Sequence, residues 1–131
     1  MVITLSDYWM RRDVEFPLAM TPEIERNAER TVALANALLA RFGEGRKVNS
    51  GWRPPAVNAA IPTAAKNSKH ITGQAIDLAD PDGDLDEWLL TQEGQLALEE
   101  LGLWMEHPAA TKGWSHLQTV PPRSGRRVFY P

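Results

Sequence analysis

Residues 68–77 read SKHITGQAID, which brings a histidine and an aspartate into one short segment. From Ala75 onward the pattern alternates as expected for a β-strand, so Ala75 and Asp77 share one face. Ile76 points to the opposite face, toward a core. His70 lies in the loop that precedes this strand. The segment therefore predicts a strand with an apolar side and a side that carries chemically reactive groups.

Residues 114–118 read WSHLQ and repeat this arrangement around a second histidine, His116. Taken singly, each of these polar residues has an ordinary explanation as an exposed, hydrogen-bonded or capping group. Together, the imidazoles of His70 and His116 and the carboxylate of Asp77 match the ligand set of a catalytic zinc site. A zinc ion held in this way activates water and polarises a carbonyl group.

A third motif lies upstream, where residues 50–54 read SGWRP. The pattern S-x-H-x-x-G-x-A-x-D, followed by W-x-H and preceded by S-G-W-R, resembles a family of zinc peptidases. That family includes D-Ala-D-Ala carboxypeptidases, D-Ala-D-Ala dipeptidases and phage L-alanyl-D-glutamate endopeptidases, and the resemblance covers roughly residues 47–120. It implies a fold of the Hedgehog and D-Ala-D-Ala peptidase type, with one Zn²⁺ ion held by His70, Asp77 and His116.

The resemblance also implies roles in substrate binding. Arg53 is expected to pair with a substrate carboxylate or carbonyl, for which the fork of a guanidinium group is suited. The alternative is a salt bridge that holds the loop. Ser68 is expected to hydrogen-bond near the substrate, or else to stabilise a turn. Trp114 and Trp52 are candidates to line the cleft.

The general base departs from the family pattern. Many relatives carry an acidic residue three positions before the last histidine, and here that position is Gly113. Glu106 is the predicted substitute, because pairing of its strand across the loop HPAATKG would bring its carboxylate to the metal. His107 is the second candidate, since an imidazole also transfers protons. The alternative interpretation of Glu106 is an ordinary surface glutamate.

The rest of the pattern predicts an α+β fold, with helices packed on a small, mainly antiparallel sheet. Thr21 and Pro22 form a helix start, and Gly43 follows the end of that helix, which spans residues 21–42. Strands are expected at 47–52, 75–79, 103–106 and 114–119, and a further helix around 93–101. Residues 54–69 suit a long loop or a short helix near 56–60.

The segments outside this pattern receive simpler predictions. Residues 1–20 are expected to form an irregular arm anchored by Tyr8, Trp9 and Phe16, and residues 120–131 a solvated tail. The repeated aspartates of DPDGDLD lack the length and the closing glutamate of an EF-hand loop. A solvated turn is therefore predicted for Asp80, Asp82, Asp84 and Asp86, with Asp84 or Asp86 capping a helix.

Composition limits the function classes. A chain of 131 residues is expected to form one catalytic domain, 1–131. Its net charge of −3 argues against nucleic acid as a partner. The chain contains no cysteine, which excludes disulfides, thiolate zinc sites and a cysteine nucleophile. The first residues, MVITLSDYWMRRDVEF, lack the features of a secretory signal, and no apolar stretch is long enough for a membrane span.

These observations favour a zinc-dependent peptidase that cuts peptidoglycan stem peptides, as a D,D-carboxypeptidase or an L-alanyl-D-glutamate endopeptidase of phage or prophage origin. We expect a monomer that is cytoplasmic on synthesis and reaches the cell wall only when released by other means. The alternative is a non-catalytic zinc-binding or virion structural domain of the same fold. Gly113 keeps this alternative open, because it removes the usual base.

Overall fold

The architecture is given by a computed structural model that describes residues 2–131. Its strands are β1 (Val48–Ser50), β2 (Ala75–Ala79), β3 (Trp104–Glu106), β4 (Trp114–Gln118) and β5 (Val128–Phe129). They form one sheet in the order β1-β2-β4-β3-β5. The first three pairings along this order are antiparallel, and the β3–β5 pairing is parallel. The predicted α+β class with a mainly antiparallel sheet is confirmed.

The helices of the described residues flank this sheet. They are α1 (Leu5–Trp9), α2 (Arg12–Glu15), α3 (Pro22–Phe42), α4 (Pro55–Ala59), α5 (Asp84–Leu89) and α6 (Gln92–Leu101). The long helix α3 begins as predicted, because the Thr21 hydroxyl accepts the backbone N–H of Ile24 at 3.1 Å. It ends at Gly43, whose φ of 94° lies in the left-handed region that favours glycine.

The core lies between α3 and the inner face of the sheet. Ile76 and Leu78 of β2 and Leu117 of β4 are fully buried there. On α3 they meet a stripe of apolar residues that includes Val32, Ala35 and Leu38. The alternation predicted for β2 is thus confirmed, and it turns Asp77 and His116 toward the other face of the sheet.

Residues 2–20 are more regular than the irregular arm predicted for residues 1–20, of which Met1 lies outside the described residues. Thr4 and Asp7 form a capping box, in which each side chain accepts the other residue's backbone N–H, and this starts α1. Tyr8 is fully buried, and its hydroxyl donates to the backbone carbonyl of Ala75 at 2.7 Å. The expectation of an irregular arm is therefore wrong. The segment is a set of short helices fastened directly to β2.

The aspartate cluster also differs from the prediction. Neither Asp84 nor Asp86 caps α5. Instead the carboxylate of Asp80 accepts the backbone N–H groups of Leu85 at 3.0 Å and of Asp86 at 2.9 Å. Asp80 and Asp86 are buried, and only Asp82 and Asp84 are exposed. The predicted solvated turn is therefore correct for Asp82 and Asp84 and wrong for Asp80 and Asp86. Asp80 directly follows β2, and its carboxylate binds the first turn of α5.

The predicted C-terminal tail contains the edge strand β5. Its backbone pairs with β3, since Met105 N–H donates to the carbonyl of Arg127 at 2.9 Å and His107 N–H to that of Phe129 at 2.7 Å. The guanidinium of Arg127 lies over the ring of Trp104, 4.5 Å from its centroid. The last residues of the chain therefore belong to the sheet and form one side of the site described below.

Across residues 2–131, none of the helices combines the length and the apolar character that crossing a bilayer requires.

Candidate metal centre and cleft

Strand register brings the predicted ligands together. In the β2–β4 pairing Asp77 lies directly opposite His116. Nδ1 of His116 is 2.8 Å from Oδ1 of Asp77, and Nε2 of His70 is 3.3 Å from the same oxygen. One ligand atom from each of the three residues lies within 4.8 Å of the others, and all three residues are buried. The two motifs, residues 68–77 and 114–118, are more than thirty positions apart in the chain, and their ligand atoms lie side by side in the fold.

The loop before β2 fixes the ring of His70. Its Nδ1 lies 2.8 Å from the backbone carbonyl oxygen of Gly51, which accepts hydrogen bonds only. Nδ1 therefore carries the hydrogen, and the lone pair of Nε2 faces Asp77. Gly51 can hold this position only because it lacks a side chain, since a Cβ there would lie 2.0 Å from the carbonyl oxygen of Tyr8.

The donor set fits a bound cation. The second imidazole, that of His116, has its Nε2 at 2.9 Å from the amide oxygen of Gln118. This leaves its Nδ1 facing the carboxylate of Asp77. When the ring is neutral with its hydrogen on Nε2, Nδ1 is an acceptor, and the carboxylate oxygen of Asp77 is an acceptor too. A proton or a metal ion must therefore lie between them. Two imidazole nitrogens and one carboxylate oxygen that converge in this way suit Zn²⁺.

Charges near Asp77 influence how these groups titrate. Burial raises the pKa of Asp77, but the contacts with His116 and His70 lower it more, so the pKa lies well below its usual range. Burial lowers the pKa of His70. For His116 burial acts in the same direction, but the contact with Asp77 outweighs it and raises the pKa. The site therefore keeps a negatively charged carboxylate between two imidazoles.

Arg53 lies at the edge of this group. Its Nη2 is 3.3 Å from Oδ2 of Asp77, and its Nε donates to the hydroxyl of Ser50 at 2.9 Å. The salt bridge that was the alternative for Arg53 is thus present, and the residue also lines the cleft. Ser68 lines the same cleft, where its hydroxyl accepts the backbone N–H of His70 at 3.2 Å.

A cleft of about 390 Å³ opens above the three candidate ligands. The predicted residues Arg53, Ser68, Glu106 and Trp114 are among those that line it. The remaining wall residues could not be predicted, because none of them stands in a recognisable motif. They are Ile61, Thr63, Ala64, Ala65, Ala110 and Pro131.

Glu106 occupies the position predicted from strand pairing. In the β3–β4 register Met105 lies opposite Leu117, and the next residue, Glu106, comes beside His116. Its Oε1 is 4.0 Å from Nε2 of His116. Burial raises the pKa of Glu106, with a smaller lowering contribution from His116. A half-buried carboxylate with a raised pKa at the wall of a cleft differs from an ordinary surface glutamate.

Three further residues lie away from the cleft. The Nδ1 of His107 accepts the backbone N–H of Ala109 at 3.0 Å, and its ring stacks on Tyr130 at 4.6 Å between centroids. Trp52 does not line the cleft as expected, because it is fully buried and donates its indole N–H to the carbonyl of Ile71. Gly113 is exposed in the turn before β4.

The fold and the site define an α+β domain with a buried His–Asp–His group, able to hold a metal ion, at the bottom of a cleft. A family model described as Peptidase M15 matches residues 15–107, and the chain belongs to this family. M15 peptidases are zinc-dependent, so membership supports a zinc metallopeptidase. No curated protein and no solved structure matches the chain at a significant level.

Proposed function

We propose that this protein is a zinc-dependent peptidase that hydrolyses a peptide bond in peptidoglycan stem peptides. The observation that carries the proposal is the convergence of His70, Asp77 and His116 below a cleft in a member of the M15 family. In this proposal the three residues hold one zinc ion. When bound, zinc supplies Lewis acidity for activating water and polarising the scissile carbonyl.

Arg53 provides the positive charge of the cleft. Its Nε and Nη2 are engaged by Ser50 and Asp77, and this orients the guanidinium group along the cleft wall. We propose that its remaining N–H groups donate to a carboxylate or carbonyl of the substrate. Ser68 and Trp114 line the same space and are proposed to contact the substrate beside Arg53.

Glu106 is proposed as the general base. Hydrolysis of an amide requires a group that takes a proton from the attacking water and returns it to the leaving nitrogen. Glu106 has a carboxylate on the cleft wall close to His116, whereas Asp77 is held by both imidazoles and by Arg53. His107 remains the second candidate, although its Nδ1 already accepts a hydrogen bond from the backbone.

The substrate class rests on the family and on the shape of the cleft. Its walls carry short side chains at Ala64, Ala65 and Ala110, which suit the small residues of a stem peptide. Both a D,D-carboxypeptidase and an L-alanyl-D-glutamate endopeptidase fit these features. An origin in a phage or prophage, a monomeric state and action at the cell wall after release belong to the same proposal, on the strength of the resemblance.

Mass spectrometry of purified peptidoglycan fragments tests the proposal. The fragments are incubated with the zinc-loaded protein, with and without a chelator. Release of free D-alanine identifies a carboxypeptidase, and a cut after L-alanine identifies an endopeptidase. In both cases the chelator should suppress the product.

A non-catalytic domain is the second candidate, and Gly113 favours it. This residue stands where many relatives carry an acid, and it is exposed in a turn before β4. A protein that binds zinc but releases no product from any peptidoglycan fragment would support this candidate and contradict the peptidase.

A further inference from the structure

Gln118 is the residue that holds the second candidate zinc-binding histidine, although no motif in the sequence marks it. It is the last residue of β4, two positions after His116, and both side chains point to the same face of the strand. Both are buried, with 6% and 7% of their surface exposed. A buried polar side chain is expected to have hydrogen-bond partners, and those of Gln118 define its orientation.

The direction of the Gln118 amide follows from its two contacts. Its Nε2 donates to the backbone carbonyl of Val120 at 2.9 Å, and a carbonyl oxygen only accepts. The amide oxygen must therefore face Nε2 of His116, 2.9 Å away. An amide oxygen also only accepts, so Nε2 of His116 must carry a hydrogen.

Among residues 2–131, Gln118 is the acceptor within hydrogen-bonding distance of Nε2 of His116. Oε1 of Glu106 is 4.0 Å from the same nitrogen, which is beyond hydrogen-bonding distance. Phe129 covers the ring of His116 edge-on, with 6.2 Å between centroids, and contributes no acceptor. The other ring nitrogen, Nδ1, lies 2.8 Å from Asp77, so a metal ion bound there would leave the hydrogen on Nε2, where Gln118 holds it.

The two histidines are oriented by different means and in opposite tautomers, with the hydrogen on Nδ1 of His70 and on Nε2 of His116. His70 is oriented by the backbone carbonyl of Gly51, which no side-chain substitution removes. His116 depends on a side chain. A partner on the far nitrogen of a metal-binding imidazole fixes both the ring orientation and the tautomer, and its loss commonly lowers metal affinity about 10–100-fold.

We propose that Gln118 is a positioning residue that holds His116 with a hydrogen on Nε2 and its Nδ1 lone pair directed at the metal position beside Asp77. The proposal rests on the proposed function, because it assumes that zinc occupies that position. Gln118 contacts neither substrate nor metal in this account. Its effect passes entirely through His116.

The first test locates the hydrogen and the metal on the ring of His116 in the zinc-loaded protein, by long-range ¹H–¹⁵N correlation spectra. The chain has three histidines, so the His107→Gln variant removes one set of signals and through-bond correlation to the backbone assigns the other two. We expect zinc on Nδ1 and a slowly exchanging hydrogen on Nε2 of His116 in the parent protein, and faster exchange of that hydrogen in Gln118→Leu. Zinc on Nε2 of His116 in the parent protein would overturn the proposal whether or not any variant folds.

The second test measures zinc affinity by competition with a chelator. Gln118→Leu should bind zinc about 10–100-fold more weakly than the parent protein. Gln118→Glu keeps an acceptor at the same place and should restore most of the affinity. Gln95→Leu is the matched control, because Gln95 is a half-buried glutamine that donates to the carbonyl of Leu89 far from the site. Its zinc affinity should equal that of the parent.

The outcomes separate the two proposals. Parental zinc affinity in folded Gln118→Leu, or equal losses in Gln118→Leu and Gln95→Leu, would contradict the role of Gln118. A parent protein that takes up no zinc would contradict the proposed function instead. In that metal-free parent at mildly acidic pH, a slowly exchanging hydrogen on Nε2 of His116 that exchanges faster in Gln118→Leu would still support orientation by Gln118. Equal exchange rates in the two proteins would contradict it.

Discussion

Two aspartates of this domain are about equally buried, yet their surroundings act on them in opposite ways. Asp77 on β2 and Asp86 on α5 have 7% and 6% of their surface exposed. Asp77 lies between two imidazoles and a guanidinium group, and its pKa is lowered. The carboxylate of Asp86 accepts hydrogen bonds from two neutral hydroxyls, that of Ser115 at 2.7 Å and that of Thr111 at 3.4 Å.

Burial raises the pKa of Asp86 to about 6, and the nearby charge of Asp80 acts in the same direction. Hydrogen bonds from Ser115 and Thr111 and the charge of His107 oppose this shift without cancelling it. The difference between the aspartates therefore comes from their neighbours and not from depth. The groups around Asp77 stabilise the ionised form of its carboxylate, which is the form that binds a metal ion. Asp86 instead connects α5 to β4 through its hydrogen bond with Ser115.

Replacing Asp77 should have the largest effect. Asp77→Asn keeps the shape of the side chain but removes the charge that two imidazoles and Arg53 surround. We expect peptidoglycan hydrolysis to fall to the level of the chelator-treated parent. The rate of product release by mass spectrometry measures this. Asp86→Asn is the matched control and should keep most of the activity, and equal losses in the two variants would remove the distinction drawn between these aspartates.

Glu106→Gln tests a third carboxylate, which is half-buried on the cleft wall and whose pKa burial raises. The variant preserves size and hydrogen bonding but cannot accept a proton. We expect kcat to fall by about 10²–10⁴, the usual contribution of general acid–base catalysis, with zinc content unchanged. If Glu106→Gln hydrolyses substrate at the parental rate, the base lies elsewhere and His107→Gln is the next variant to measure.

Arg53→Lys keeps the positive charge beside Asp77 but removes the planar guanidinium group and most of its hydrogen-bond donors. A lysine can retain one contact with Asp77 but loses the hydrogen bond to Ser50 and the fork for the substrate. Loss of a charged hydrogen bond of about 1.5–3 kcal/mol should lower kcat/KM by about 10–100-fold, mainly through KM. Tm should change little. A large drop in Tm with unchanged KM would assign Arg53 to folding alone.

The smallest expected effect concerns the pH dependence of stability at Asp86. Its folded-state pKa of about 6 exceeds the ordinary value of 3.8, so the folded protein holds this proton more tightly than the unfolded chain does. The resulting stabilisation is complete below the ordinary value and is lost as the pH rises through 6. Denaturant titrations should therefore show that the free energy of unfolding of Asp86→Asn, relative to that of the parent, rises by about 2–3 kcal/mol between pH 4 and 7.

Asp82→Asn serves as the control for this pH series, because Asp82 is exposed on the same turn. Its free energy of unfolding should follow that of the parent across the whole range. A difference between parent and Asp86→Asn that stays constant with pH would contradict the raised pKa of Asp86.

The sequence identified most of the candidate metal site because strand alternation and pairing convert spacing into position. His70, Asp77 and His116 each stand in a distinctive motif, and the register of β2 on β4 leaves little freedom for them. Glu106 was found by the same reasoning, from the hairpin that joins β3 to β4.

Other features depend on contacts that no local pattern encodes. The helix α1 follows from a capping box at Thr4 and Asp7 that is visible in the sequence, but its attachment to β2 through Tyr8 is a long-range contact. Gln118 acts through the direction of an amide group, and Pro131 reaches the cleft only because β5 pairs with β3. Such features require the folded chain.

Elemental analysis of purified protein tests the central claim most directly. After exposure to zinc and removal of the excess, we expect about one zinc ion per chain in the parent and in Asp86→Asn. His116→Ala should contain no stoichiometric zinc while remaining folded by circular dichroism. Full zinc occupancy in folded His116→Ala, or a parent protein that retains no zinc, would contradict the assignment of His70, Asp77 and His116 as the metal centre.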